Sequence, residues 1–318
     1  MAQSAGDIRP GTGLEVGGPS EDSGVKARTP REIFWARFRE DKLALFGAVL
    51  VIFMLLLALS APIFERFVVH HESDQTFTNE MLDDFGTPQG PNSEFWFGAD
   101  RLGRDLFVRV LRGAQVSLKI AFIATGIEVV IGVILGMLAG MSKGWVDTIV
   151  SRLIDLVLSI PFLLLGISLS IAVGAGEGLV IGLIAFFGWP YIARIVRGQT
   201  MSLRETQFVE AAHSLGASGR WIMFREILPN LLAPIIVYAT LIIPTNIVVE
   251  ATLTYLGVGV KEPSAAWGSM IEQATDYTIY GEAWWYMFYP GMALFLTVLG
   301  FNLFGDGLRD ALDPKTAK

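Results

Sequence analysis

Residues 205–230, ETQFVEAAHSLGASGRWIMFREILPN, lie between two apolar stretches that are each long enough to cross a bilayer. The segment is polar, broken by glycine, and accompanied by Arg204, Arg220 and Arg225, so hydrocarbon suits it poorly. It must lie in water or against another protein, on the side where basic loops collect. The chain around it is 52% hydrophobic and 17% charged over 318 residues, against about 25% charged in a soluble domain. The apolar residues come in long runs, which predicts an all-α membrane protein.

Working outward, the first span is expected over 43–64, since roughly 20 residues at about 1.5 Å rise cover a hydrocarbon core of about 30 Å. Five more follow over 117–141, 145–173, 178–199, 231–257 and 284–305. Residues 26–42, before the first span, hold six bases (Lys26, Arg28, Arg31, Arg37, Arg39, Lys42), whereas 65–100 holds eight acids and Arg66 alone. The positive-inside rule then puts the N-terminus and the 194–230 loop in the cytoplasm and the 65–116 segment outside. The 258–283 loop, with Lys261 as its one base beside Glu262, Glu272, Asp276 and Glu282, agrees. An even number of spans returns 309–318 to the cytoplasm as a short tail.

Residues 1–30 are rich in Gly, Ser, Pro and charge and read as a disordered tail, and 31–42 reads as an amphipathic surface helix. Gly132, Gly136 and Gly140 form a small-residue ladder that lets another helix approach closely. Pro161, Pro190, Pro229, Pro244 and Pro290 mark kinks or breaks. Trp145, Trp284 and Trp285 fall at span ends, where an indole prefers the interface.

Within the loop, 205–217 reads as a short helix whose apolar face is Phe208, Ala211, Ala212 and Leu215. Gly216 fits a left-handed C-terminal cap, and Ser218 can cap a second helix that contains Trp221, Ile222, Phe224 and Arg225. A helix this short is marginal alone and needs a surface to dock on.

Catalytic chemistry is missing. There is no cysteine, and His70, His71 and His213 are the only histidines; the adjacent pair reads as solvated loop residues. No GxxxxGK[ST] loop, GxSxG or HExxH is present, so no catalytic, cofactor-binding or metal-ligating residues are assigned. A net charge of −7 argues against nucleic-acid partners. Any energy from ATP must be released by another polypeptide. Glu128 and Glu250 are intramembrane carboxylates by these spans, and such groups face a cavity or a packing partner, so both are candidates for a translocation path or for helix packing. Asp100, Arg104 and Asp105 are expected to order the turn that enters the second span rather than bind ligand.

Glu210-Ala211-Ala212, Gly216 and Leu228-Pro229 together resemble the EAA loop of binding-protein-dependent ABC-importer permeases, with Glu226 where isoleucine is usual. Three more stretches resemble the C-type permease of dipeptide, oligopeptide and nickel importers. These are Phe97-Gly98-Ala99-Asp100 with Gly103-Arg104-Asp105, Glu250-Ala251 with Tyr255–Gly259 and Pro263…Trp267-Gly268, and Asn302 with Gly305-Asp306 and Leu308–Pro314. The similarity covers about 31–314. It implies a type I importer fold of six transmembrane helices, with a permease core over 117–308 in a bacterial inner membrane. Phe208, Glu210, Ala211, Ala212, Leu215 and Gly216 would form a cytoplasmic coupling helix.

The implied partners are a homologous permease, two ATP-binding subunits and an extracytoplasmic binding protein that contacts 65–100 and 258–283. The implied cargo is a di- or oligopeptide, with a glutathione-like peptide or nickel chelate as alternatives. From the residues alone, an ion-coupled carrier using Glu128 and Glu250 is the competing class, which the EAA pattern disfavours.

Overall fold

The computed structural model describes residues 29–276 and 281–312. Nearly all of the expected N-terminal tail and the final six residues of the chain lie outside them. The described residues are helical, with three isolated bridges in place of strands.

Helix α1 (Pro30–Glu40) begins with a capping box in which Thr29 and Glu32 satisfy each other's backbone N–H groups. Asp41 ends it and caps α2 (Lys42–Ile63), accepting from the Leu43 and Ala44 N–H groups at 2.9 and 3.1 Å. After α3 (Thr78–Met81) comes α4 (Leu106–Met141), whose 36 residues span roughly 54 Å at about 1.5 Å rise. It starts eleven residues before the expected position, because Asp105 accepts from the Phe107 and Val108 N–H groups and so nucleates the helix in the loop.

The span expected over 145–173 is made of α5 (Trp145–Ser159) and α6 (Phe162–Val173), bent by 76° at one of the prolines expected to kink or break a helix. Pro161 is the cause: it lacks an N–H and drives Ile160 into extended backbone, φ −80° and ψ 127°. Pro190, Pro244 and Pro290 lie inside unbroken helices, so only Pro161 breaks a span. The remaining elements are α7 (Glu177–Arg204), α8 (Gln207–Ser214), α9 (Gly219–Ile222), α10 (Leu228–Tyr255), α11 (Trp267–Ala274) and α12 (Trp284–Leu312). A π-helical turn joins α9 to α10, giving a continuous helical stretch over Gly219–Tyr255. Among the described residues, five helical stretches are long and apolar enough to cross a membrane, and six if the bent pair counts as one.

The segment after α10, expected as an outer loop, tucks α11 inside. Trp267 is fully buried and its indole Nε1 donates to the Val110 carbonyl at 3.1 Å. Trp285, expected at the interface, is buried as well, while Trp145 and Trp284 are exposed.

The glycine ladder is spent on α4 against α7. A Cβ at Gly132 would lie 2.6 Å from Ile192 Cβ, one at Gly136 2.7 Å from the Ala193 carbonyl oxygen, and one at Gly140 2.6 Å from Thr200 Cβ. Gly136→Val should therefore cost about 1–3 kcal/mol by overpacking. Thermal unfolding in lipid nanodiscs checks this against Gly126→Val, whose added Cβ meets nothing within 4 Å. Equal midpoints for the two variants would refute the packing account.

Arg204 donates to the Gly140 carbonyl at 2.9 Å, at one end of α4. Arg109, near the other end, donates to the carbonyls of Ser73 and Pro263 at 3.0 and 3.4 Å. The 205–218 loop and the 65–105 segment therefore occupy opposite ends of the bundle.

Candidate functional site

Three constellations carry polar chemistry: the α8 loop, a cavity between helices, and a buried ionic cluster at the far end.

Helix α8 ends in a reciprocal pair of backbone bonds, Gly216 N–H to the His213 carbonyl at 2.9 Å and Ala217 N–H to the Ala212 carbonyl at 3.0 Å. Gly216 sits at φ +84°, the left-handed conformation this closure needs. Ser218 caps α9 by accepting from the Trp221 N–H at 3.3 Å. The inward face differs from the periodic reading. Val209 and Ala212 are buried in a cluster with Met137, Ile192, Val196 and Ile222, whereas Phe208, Glu210, Ala211 and Leu215 are exposed. Eight residues offer only two inward positions, three apart, and the neighbouring helices select which pair is used. Leu215 is 88% exposed, an unusual position for a large apolar side chain at the tip of a polar loop. Val209 and Ala212 join α8 to α7 and α4, and Arg197 of α7 holds Asp147 of α5 at 2.5 and 2.8 Å.

The cavity, about 610 Å³, is bounded by α4, α7, α10 and the α5–α6 break. Its lining includes Glu128, Ile160, Phe187, Gly188, Tyr191, Tyr238, Thr245 and Asn246. Asn246 Nδ2 donates to Glu128 Oε1 and, at 2.8 Å, to Thr125 Oγ1. Glu250 is elsewhere. It is fully buried, accepts from Thr254 Oγ1 at 2.9 Å, and does not line the cavity. Thr254 in turn accepts from the Val260 N–H, so Glu250 and Thr254 together pin the turn that leaves α10. Asn246 went unnoticed in the sequence, although an amide at mid-span is itself a signal of polar function. Gly188 carried no such signal.

At the far end, Asp100 Oδ2 receives Arg104 Nε at 2.6 Å and lies 3.1 Å from Arg109 Nε, with all three residues buried. Arg104 extends to Glu262 at 2.8 Å, Gln273 donates to the same carboxylate oxygen at 2.8 Å, and Tyr286 donates to Gln273 Oε1 at 2.6 Å. His71 is not a solvated loop residue. It is buried, stacks on Phe95 at 4.8 Å between centroids, tilts against Phe77 at 4.6 Å, and bonds Asp105 Oδ2 at 2.8 Å. Burial pushes the Asp105 carboxyl up, and the His71 bond works against that rise. His70 sits at φ +59° and is exposed. Among the described residues no group of three or more His, Asp or Glu is arranged to hold a metal ion.

Burial also pushes Glu262 up, but the Arg104 hydrogen bond and charge, with the charge of Arg109, outweigh it and hold the carboxyl below its ordinary range. A carboxyl depressed in the folded state stabilises above its unfolded value, about 4.3, and that contribution disappears as pH falls through the depressed value. The thermal midpoint of the native chain should exceed that of Glu262→Gln at pH 6, and the gap should shrink progressively as pH falls below the unfolded value of about 4.3. A gap independent of pH would refute the assignment.

Residues 132–318 match the sequence profile described as binding-protein-dependent transport system inner membrane component, and residues 29–82 match that of the N-terminal transmembrane domain of oligopeptide transport permease C. The chain is 42% identical over 291 residues to the glutathione transport system permease protein GsiD of Escherichia coli (strain UTI89), covering 91% of this chain and 92% of that protein. GsiD of Shigella boydii serotype 4 matches at the same identity and coverage. Among solved structures, an inward-facing conformation of the MetNI methionine ABC transporter aligns with TM-score 0.53 at 23% identity, over 64% of this chain and 95% of that one. This last likeness bears on fold alone.

Proposed function

The chain belongs to the binding-protein-dependent transport system inner membrane components and is a permease subunit of an ABC importer, and from that premise we propose that α8 is its coupling helix, docked on a separate ATP-hydrolysing subunit. The observation that carries this reading is the division of α8. Val209 and Ala212 anchor it to the bundle, while Phe208, Glu210, Ala211 and Leu215 turn outward. An outward apolar pair beside a carboxylate on a short, well-capped helix suits a cleft on a protein better than water.

Force applied to α8 passes into the Met137–Ile192–Val196–Ile222 cluster and through the Arg204–Gly140 and Arg197–Asp147 contacts. Those contacts lead to α4, α5 and α7, three helices that line the cavity. Closure of two ATP-binding subunits would then tilt the helices as a body and alternate access to a path shared with a homologous permease. Coupling of this kind needs contacts that differ between the two states, and the exposed face of α8 supplies them.

In this reading the 205–230 loop and both termini face the cytoplasm of a bacterial cell, and the 65–105 segment faces an extracytoplasmic binding protein. The cargo is a small peptide, and the GsiD relatives favour one of the glutathione class over a nickel chelate. ATP is bound by the partners.

Leu215→Asp should leave membrane insertion unchanged and stop the ATPase subunits from co-purifying. Single cysteines settle sidedness. In intact cells an impermeant thiol reagent should label a cysteine replacing exposed Ser93 but not one replacing Leu215. Labelling of both, or retention of the ATPase by Leu215→Asp, would defeat the coupling assignment.

A further inference from the structure

We propose that Glu128 is the floor of an ammonium-binding subsite in the transmembrane cavity, where it receives the free amino group of a peptide in transit. The inference rests on the peptide-importer reading above and adds a recognition element inside the membrane.

Glu128 is 1% exposed, yet its two carboxylate oxygens differ. Oε1 accepts from Asn246 Nδ2, whereas Oε2 has no hydrogen-bond partner. An ionisable group left half-satisfied at membrane depth is costly, and such groups mark ion or substrate paths.

Helix α7 is shaped around that free oxygen. A Cβ at Gly188 would stand 1.4 Å from Oε2, so any side chain there would displace the carboxylate. Gly188 and Glu128 both line the cavity, so the carboxylate lies at its wall with Oε2 covered by the Gly188 backbone face. The glycine is a notch through which a carboxylate from α4 reaches a chamber bounded by α7 and α10.

The rest of the lining selects the sign of the guest. No Lys, Arg or His is among the lining residues, and Glu128 is the one formal charge. Phe162, Phe187, Tyr191 and Tyr238 contribute aromatic rings, whose faces attract a cation and reject an anion. The Asn246 amide holds the carboxylate from one side and leaves the other oxygen for an N–H donor. About 610 Å³ lies within the range of small-molecule sites, roughly 300–1,000 Å³, and admits a short peptide. A primary ammonium is the group on such a peptide that fits a lone carboxylate among rings.

The chain has no cysteine, so Thr245→Cys places its one thiol on the exposed cavity wall next to Asn246. In the complete transporter in nanodiscs, this thiol is reacted with 2-aminoethyl and with 2-sulfonatoethyl methanethiosulfonate, and labelling is read by mass on this chain. The cationic reagent should react faster, and adding Glu128→Gln should lower the cation-to-anion rate ratio about tenfold, the lower range of field focusing in a charged cleft. The dipeptide Ala-Phe should slow cationic labelling, and N-acetyl-Ala-Phe should not. Equal rate ratios with and without Glu128→Gln would overturn the subsite. A charge preference that persists while the complete transporter takes up no peptide would uphold the cation site and overturn the peptide reading beneath it.

Discussion

Gly216→Val should abolish ATP hydrolysis linked to transport while the chain still inserts in the membrane. The cause is local. Gly216 holds φ +84°, and an ordinary side chain in that region costs about 1–2 kcal/mol, with a β-branched one worse. Nothing lies within 4 Å of an added Cβ, so the damage is to backbone closure and not to packing inside the bundle. Losing that closure releases the bonds from Gly216 to His213 and from Ala217 to Ala212, and an eight-residue helix has little stability of its own to replace them. Phe208 and Leu215 then lose their fixed spacing. Gly216→Asn, which tolerates the left-handed region, should retain a large share of activity. The measurement is ATP hydrolysis by the reconstituted transporter with and without binding protein. Normal stimulation in Gly216→Val would sink the coupling assignment.

Asp100→Asn should produce the second large effect, a loss of about 3–5 kcal/mol of stability. Asp100 is fully buried and faces Arg104 at 2.6 Å and Arg109 at 3.1 Å, both also buried. Removing its charge leaves two guanidinium groups facing Glu262, which bonds Arg104 directly and acts on Arg109 only through its charge. An uncompensated buried charge costs far more than the pair contributed. Asp155→Asn is the contrast: its partner Arg194 is 3.4 Å away and both side chains are more than half exposed, so no measurable change is expected. Thermal midpoints and folded yield in nanodiscs test both, and a mild Asp100→Asn would show that water reaches the cluster.

The EAA-like loop was legible residue by residue because its signals are local. Gly216 reports a cap and Ser218 a helix start without help from the rest of the chain, and both stand where expected. Which face of α8 turns inward was not legible. Periodicity offered Phe208, Ala211, Ala212 and Leu215, but Val209 and Ala212 are the buried pair, because Met137, Val196 and Ile222 of other helices decide it. Pro161 announced a break, yet Pro190 and Pro244 carried the same signal and sit in continuous helices.

By itself the sequence determined that this chain crosses a membrane several times, where most crossings fall, and where a polar loop interrupts them. Those properties depend on one condition applied along the chain: hydrocarbon accepts only long apolar helices, and each run of residues meets that condition on its own. Only the tertiary structure decided which buried polar groups meet. Glu128 and Glu250 read alike in sequence, but Glu128 finds Asn246 and the notch of Gly188 at a cavity wall while Glu250 finds Thr254 within its own helix. The environment of a buried charge is set by neighbours distant in the chain, and no local pattern encodes it.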